Sequence, residues 1–330
     1  MIQTSIKGMP TRNTDWVNSM KNNWYFCVMK QELKTVRLDS IDSYNKLYGL
    51  ETRHPLVTVI NLNDAARVVN HVAMDYGVYA VFLKNGVNCT LRYGRQPYDY
   101  QEGTVVSFSP GQLIGVDTDI DEVAPDVIGL MFHPDLIYKT PLAAKIKEYS
   151  FFDYSQREAL HLSSEERRLF MECLDKIKSE IDRPVDKHTA EIISSIIMVL
   201  LDYLTRFYER QFITRRKVNS DMLSVFEEEL HNYFSSGKVT ELPTVAYFAE
   251  RVNLTPGYFG DMVKKETGKT PQELITIHIA EIAKSRLTTS NDDISVIAYD
   301  LGFQYPQHFS RMFKRITGES PKQFRLRSGS

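Results

Sequence analysis

The chain has 330 residues, 42% of them hydrophobic and 25% charged, which is enough for two or three domains that each bury a core. A formal net charge of -2 excludes a protein that coats nucleic acid or membrane with its whole surface, while leaving room for a local basic face. Cys27, Cys89 and Cys173 are odd in number and share no metal-type spacing, so they read as reduced thiols of a cytoplasmic protein.

The opening MIQTSIKGMPTRNTDW lacks the apolar core of a secretory signal, and residues 1–20 are expected to form a flexible arm. From about residue 55 to 132 the sequence comes in short apolar bursts: Leu56–Asn61, Gly77–Lys84, Asn88–Tyr93, Thr104–Ser109 and Val127–Phe132. They are rich in β-branched and aromatic residues and are separated by Asn85-Gly86, Gly94, Pro97, Gly103 and Pro110-Gly111. That spacing predicts an antiparallel sandwich or small β-barrel over residues 21–140.

After Pro134 the period lengthens. Ser163–Ile181 predicts a helix with Ser163 or Ser164 as N-cap and Glu165 and Glu166 in its first turn. A second helix, about Lys187 to Phe212, repeats apolar residues at three and four: Ile193, Ile196, Ile197, Leu200, Leu204 and Phe207. Its run Ile192–Leu204, broken by Asp202, is too short to span a bilayer, and no membrane partner is expected. Ile192, Met198, Val199, Leu201, Tyr203 and Tyr208 widen the apolar surface beyond one stripe. A helix apolar on more than one face packs on more than one partner, its own domain and a second subunit, so residues 141–214 are expected to be a helical dimerisation segment whose dimer helix carries Ile193, Ile197, Leu200 and Leu204. The polar stretch RRKVNS, residues 215–220, reads as a linker.

Residues 221–330 are helical and contain an internal repeat. Glu250–Leu274 can be laid over Tyr299–Phe324 with one extra residue in the second copy. Phe259 then matches Phe309, Met262 matches Met312, Lys264 matches Lys314, Thr267-Gly268 matches Thr317-Gly318, and Pro271 matches Pro321. Asn253 and Gly302 fall where a tight turn needs a left-handed backbone. Pro256 and Pro306 open the helices that follow, and Gly268 and Gly318 end them. TPQE (Thr270–Glu273) and SPKQ (Ser320–Gln323) are capping boxes for the next helix of each copy. Helix, tight turn, helix, twice over, is a pair of helix-turn-helix units, with Glu273–Leu287 as the bridging helix.

The charges then fall into place. Between Gly302 and Ser330 the basic residues are Arg311, Lys314, Arg315, Lys322, Arg325 and Arg327, and the acidic residue is Glu319. Phe309, Met312, Phe313 and Ile316 are expected to anchor a recognition helix inward. Gln307, His308, Ser310, Arg311 and Lys314 are left for the major groove and its phosphates.

On the motif GFQYPQHFSRMFKRITGESPKQFR (Gly302–Arg325), preceded by ISVIAYDLGF, the last hundred or so residues resemble the paired helix-turn-helix domain of the AraC/XylS family of bacterial transcription regulators. The upstream part is similar in pattern to that family's effector module, a cupin-like β-barrel followed by dimerising helices. The resemblance implies double-stranded operator DNA, a homodimer, a small-molecule effector and RNA polymerase as partners. It also implies activation as the usual mode. Tyr305 joins the second unit's contacts, and Thr255, Tyr258, Asp261 and Lys264 are those of the first.

Two departures qualify the resemblance. Where the family's first recognition helix often presents Arg or Gln, this chain has Gly260 and Asp261, with Gly257 a turn earlier. Glycine offers nothing to a base edge, and aspartate repels phosphate unless it accepts from a cytosine amino group. Base reading is therefore expected mainly from the second helix. The barrel region holds His54, His71 and His133 but no HxH pair, and the chain has no HExxH, GxSxG or phosphate loop. No catalytic residue, metal or cofactor is expected, and the barrel reads as a sensor pocket walled by Tyr79, Phe82, Leu91, Tyr93 and Met131. Two alternatives to the sensing regulator are one controlled by a protein partner without a ligand and a cupin-type metalloenzyme fused to a DNA-binding domain.

Overall fold

A computed structural model describes residues 34–69, 72–85, 103–116, 126–155, 158–235 and 239–328. The expected arm, the strand Asn88–Tyr93 and the pocket residues Leu91 and Tyr93 lie outside them, as do Cys27, Cys89 and His71.

Among the described residues, eight strands form two sheets in the N-terminal region. The smaller joins β1 (Lys34–Leu38), β3 (Val72–Tyr76) and β6 (Gln112–Val116) in that order. The larger runs β2 (Val57–Asn61), β7 (Val127–Phe132), β4 (Tyr79–Lys84), β5 (Thr104–Phe108) and β8 (Leu160–His161). The pairing is antiparallel except between β1 and β3, which are parallel. The expectation of a wholly antiparallel barrel is corrected on that point. Among the described residues, no pairing joins the two sheets into a closed barrel.

Alternation along the strands divides the core in two. Ala80, Phe82, Val106, Phe108 and Met131 look toward the smaller sheet, where they meet Leu38, Met74 and Tyr76. Helix α1 (Ile41–Tyr48) closes that layer with Ile41, Tyr44 and Tyr48, started by a Ser40–Ser43 capping box and stopped by Gly49 at φ 71°. Val57, Val81, Leu83, Val105, Leu130 and Phe132 look the other way, toward the helices.

After two short helices, α2 (Pro134–Ile137) and α3 (Pro141–Lys145), come the long helices α4 (Ser164–Ile181) and α5 (Thr189–Thr214). Ser163 caps α4 in a reciprocal box with Glu166, as the sequence predicts. On α5, Ile193, Ile197, Leu200 and Leu204 are fully buried in the chain's own core. Their assignment to a subunit interface is corrected: they face α4 and the larger sheet. The opposite face carries Ile192 and Val199, 42% and 47% exposed, with Ile196 and Tyr203 half-buried along the same row.

The expected linker is also corrected. Residues 216–220 belong to helix α6 (Arg216–Ser235), which Arg215 alone separates from α5. Buried Asn219 fixes this junction by donating to the Phe212 carbonyl at 2.9 Å. Polar residues of this kind cost a helix little when a tertiary contact holds them.

The C-terminal region follows the repeat closely. Helices α7 (Val245–Arg251) and α8 (Pro256–Thr267) make the first unit, and α10 (Ile294–Asp300) and α11 (Pro306–Thr317) the second. Between them α9 (Pro271–Thr289) packs against α8, α10 and α11 through Ile275, Ile279, Ala283 and Leu287, and α12 (Pro321–Ser328) closes the second unit. Asn253 and Gly302 take φ of 57° and 88°, and Gly268 and Gly318 end their helices at 74° and 84°.

Candidate nucleic-acid interface

Helix α11 separates its faces sharply. Phe309 and Phe313 are fully buried, and Phe313 meets Phe324 of α12 edge to face at 5.5 Å. Met312 is half-buried, whereas Ile316, expected to be an anchor, is 37% exposed in the last turn and lies at the edge of the apolar face. Tyr305, Gln307, His308, Arg311 and Lys314 are all exposed, and Ser310 is half-buried among them. Tyr305 and His308 hold each other edge to face at 5.3 Å. The basic excess is smaller at the far end, where Arg327 pairs with Glu319 at 2.7 Å and Arg325 donates to the Leu287 carbonyl. What remains facing water on α11 is Arg311, Lys314 and Arg315.

The matching helix of the first unit is built alike but covered. Thr255 caps α8, accepting from the Tyr258 amide at 3.3 Å. Both Thr255 donors are taken by buried Glu158: the amide reaches Oε1 at 2.6 Å and the hydroxyl reaches Oε2 at 2.7 Å. Asp261 accepts from the Ser150 hydroxyl and the Tyr154 phenol, both at 2.5 Å. Tyr258 is buried, its ring 5.1 Å from Tyr154 and 4.9 Å from Phe212, with Arg215 beside its hydroxyl. Burial, reinforced by the Asp261 charge, pushes the Tyr154 phenol well above its ordinary pKa, so it remains a donor. Of the first unit's expected contacts, Lys264 alone is fully open.

The proposed sensor pocket is not gathered in one place. Phe82 and Met131 lie between the sheets, but Tyr79 is on the opposite face of β4, stacked on Phe132 at 5.0 Å and against Phe152 at 5.2 Å. Period-two alternation explains the split, because Tyr79 and Phe82 differ by an odd number of positions. A cavity about the size of one water molecule is lined by Val106, Ser107, Phe108, Phe151, Tyr154, Ser155, Ala159 and Tyr208. The buried Ser107 hydroxyl has no hydrogen-bond partner. His54 accepts from the Leu56 amide and His133 caps α2, so both have structural work. Among the described residues no three His, Cys, Asp or Glu side chains are gathered to hold a metal ion, and no helix is long and apolar enough to cross a membrane.

A family model described as a helix-turn-helix domain matches residues 248–327, from α7 through α12. The raffinose operon transcriptional regulatory protein RafR of Pediococcus pentosaceus is 28% identical over 138 residues, 42% of this chain and 48% of that protein. The transcriptional activator RhaS of Yersinia pestis is 39% identical over 64 residues, covering 19% of this chain and 23% of its own. The C-terminal region belongs to the AraC/XylS family of transcription regulators. This AraC/XylS-type region is also similar to the solved C-terminal domain of AraT, a response regulator from Geobacillus stearothermophilus: 27% identity, 32% of this chain, 84% of that one, TM-score 0.30. The chain spans about half, or less, of the length of the curated relatives it matches. RafR and RhaS are both named as regulators of transcription.

Proposed function

We propose that the chain is a sequence-specific regulator of transcription that reads double-stranded DNA chiefly through α11. The observation that carries this reading is the open row Gln307, His308, Arg311 and Lys314, backed by buried Phe309 and Phe313. The Arg311 guanidinium suits O6 and N7 of guanine, and Lys314 suits a phosphate. In this reading α8, once its covered face is released, takes the neighbouring major-groove segment about 34 Å away, with α9 as the bridge.

Dimerisation through α5 belongs to the exposed Ile192 and Val199, flanked by half-buried Ile196 and Tyr203. Effector sensing by the N-terminal region, RNA polymerase as a partner and an activating role are further parts of the proposal, the last in keeping with the relative named as an activator. The test is enrichment of duplexes from a random-sequence pool by the full-length chain. A short recurring motif is expected; recovery of the pool with no motif at low salt would overturn sequence-specific reading.

A further inference from the structure

The internal repeat places Thr255, Gly257, Tyr258 and Asp261 of α8 over Tyr305, Gln307, His308 and Arg311 of α11. On α11 that face is open; on α8 the same face is docked on the N-terminal region. We propose that Ser150, Tyr154 and Glu158 form an internal competitor for DNA, occupying the groove-facing surface of α8 and leaving the second unit free. The proposal rests on the reading of the C-terminal units as DNA-binding.

Three observations converge on this. First, the carboxylate of Glu158 sits at the N-terminus of α8 and takes both donors of the cap residue Thr255. Helix N-termini favour anions there, and in DNA complexes they are places where a backbone phosphate is held. Glu158 thus fills, with a fixed negative charge, the position a phosphate would take. Second, Asp261 replaces the arginine of the second copy and accepts two short hydrogen bonds from Ser150 and Tyr154. An acidic side chain is poor on a DNA face and well suited to two hydroxyl donors. Third, Gly257 replaces the glutamine of the second copy, and a Cβ there would already touch the Tyr154 ring at 3.5 Å. The ring thus lies in van der Waals reach of the position that a side chain at Gly257 would enter. Gly257 and Asp261, two of the residues that make α8 a weak base reader, are also the ones docked on the N-terminal region.

If docking and DNA exclude one another, the apparent dissociation constant is the intrinsic one divided by the open fraction. The experiment changes the N-terminal side alone, leaving the DNA-facing helix untouched. Two variants of the full chain are made: Ser150→Ala with Tyr154→Phe, which removes both donors to Asp261, and Glu158→Gln, which keeps shape and removes charge. Hydrogen–deuterium exchange of amides in residues 255–261 reports docking without DNA. Fluorescence anisotropy with a labelled duplex, enriched from a random pool by the wild-type chain, reports binding at matched salt.

Expected are faster exchange across α8 and tighter duplex binding, by about tenfold for the double variant. Unchanged exchange would overturn docking as a held contact. Faster exchange with unchanged or weaker binding would overturn the competition while leaving the DNA-binding reading intact. Should neither wild type nor variants retain any duplex, the DNA-binding reading falls first and the competition with it. Circular dichroism confirms that each variant is folded.

Discussion

Arg311 and Lys314 lie three residues apart on the exposed side of α11, yet their removal should have different consequences. Arg311→Ala is expected to cost about 1–3 kcal/mol on a preferred duplex and to relax discrimination at one base pair. Lys314→Ala should weaken all sequences alike and flatten the slope of log affinity against log salt by about one unit. Competition binding with single-base variants of the enriched duplex, repeated over a salt series, separates the two.

Backbone demands are equally local. Gly302 has φ of 88°, and a Cβ there would sit 2.7 Å from the Glu241 carbonyl, whereas at Gly318, φ 84°, nothing lies within 4 Å. Gly318→Ala should cost about 1 kcal/mol from conformation alone, and Gly302→Ala clearly more, because backbone must also move. Chemical denaturation of both variants checks the order.

His161 offers a pH handle. Burial, then the charges of Arg215 and Arg210, bring its pKa down from the usual 6.5 to about 4. The unfolded chain therefore binds the proton more readily between those values, so this residue's contribution to stability is lost as pH falls from 6.5 toward 4. The slope is at most about 1.4 kcal/mol per pH unit. An imidazole NMR signal titrating near 4 confirms it; a midpoint near 6.5 refutes it.

Among the elements, α5 shows what a sequence pattern can and cannot settle. Its length and helical type follow from apolar spacing, but a helix greasy on most of its circumference does not announce which side faces inward. Leu200 and Val199 are adjacent in sequence, one fully buried and the other 47% exposed. Leu200→Glu should unfold the region, since a charge in that core has no partner. Val199→Glu should leave the fold intact and, if α5 pairs two copies, yield monomers. Sedimentation velocity beside far-ultraviolet circular dichroism distinguishes these results.

The second helix-turn-helix unit was legible nearly to the residue, because proline, glycine and capping boxes fix helix ends through local chemistry. The short α1 and the strands β1, β3 and β6 were not, since they gain their stability from the facing sheet. RRKVNS looks like a linker by composition, yet α6 runs through it because buried Asn219 finds partners in the Phe212 carbonyl and half-buried Glu266.

At the scale of the whole molecule, the contact between Asp261 and Tyr154 joins residues 107 positions apart, and no local rule reaches that far. Its one trace in the sequence was the departure of Gly257 and Asp261 from the second copy. The apolar core is continuous across this seam: Phe132, Phe207, Tyr208 and Phe212 lead to Tyr258 and Phe259, and onward to Phe309. A seam of that kind couples unfolding more strongly than the wet, polar contacts usual between domains. The intact chain is therefore expected to melt in one calorimetric transition, with van't Hoff and calorimetric enthalpies close to each other. Tyr258 is the best place to break the coupling, because its ring touches Tyr154 and Phe212 together and its hydroxyl lies beside Arg215. Tyr258→Ala removes an aromatic whose burial is of the order of 3–5 kcal/mol. That loss should fall mainly on the seam, since Phe248, Phe259 and Met262 still fill the first unit's interior. The melt should then split, with the lower transition moving under added duplex DNA and the upper one not. A single transition that merely shifts downward would place Tyr258 in one cooperative core, and two transitions already present in the intact chain would show that the seam couples weakly.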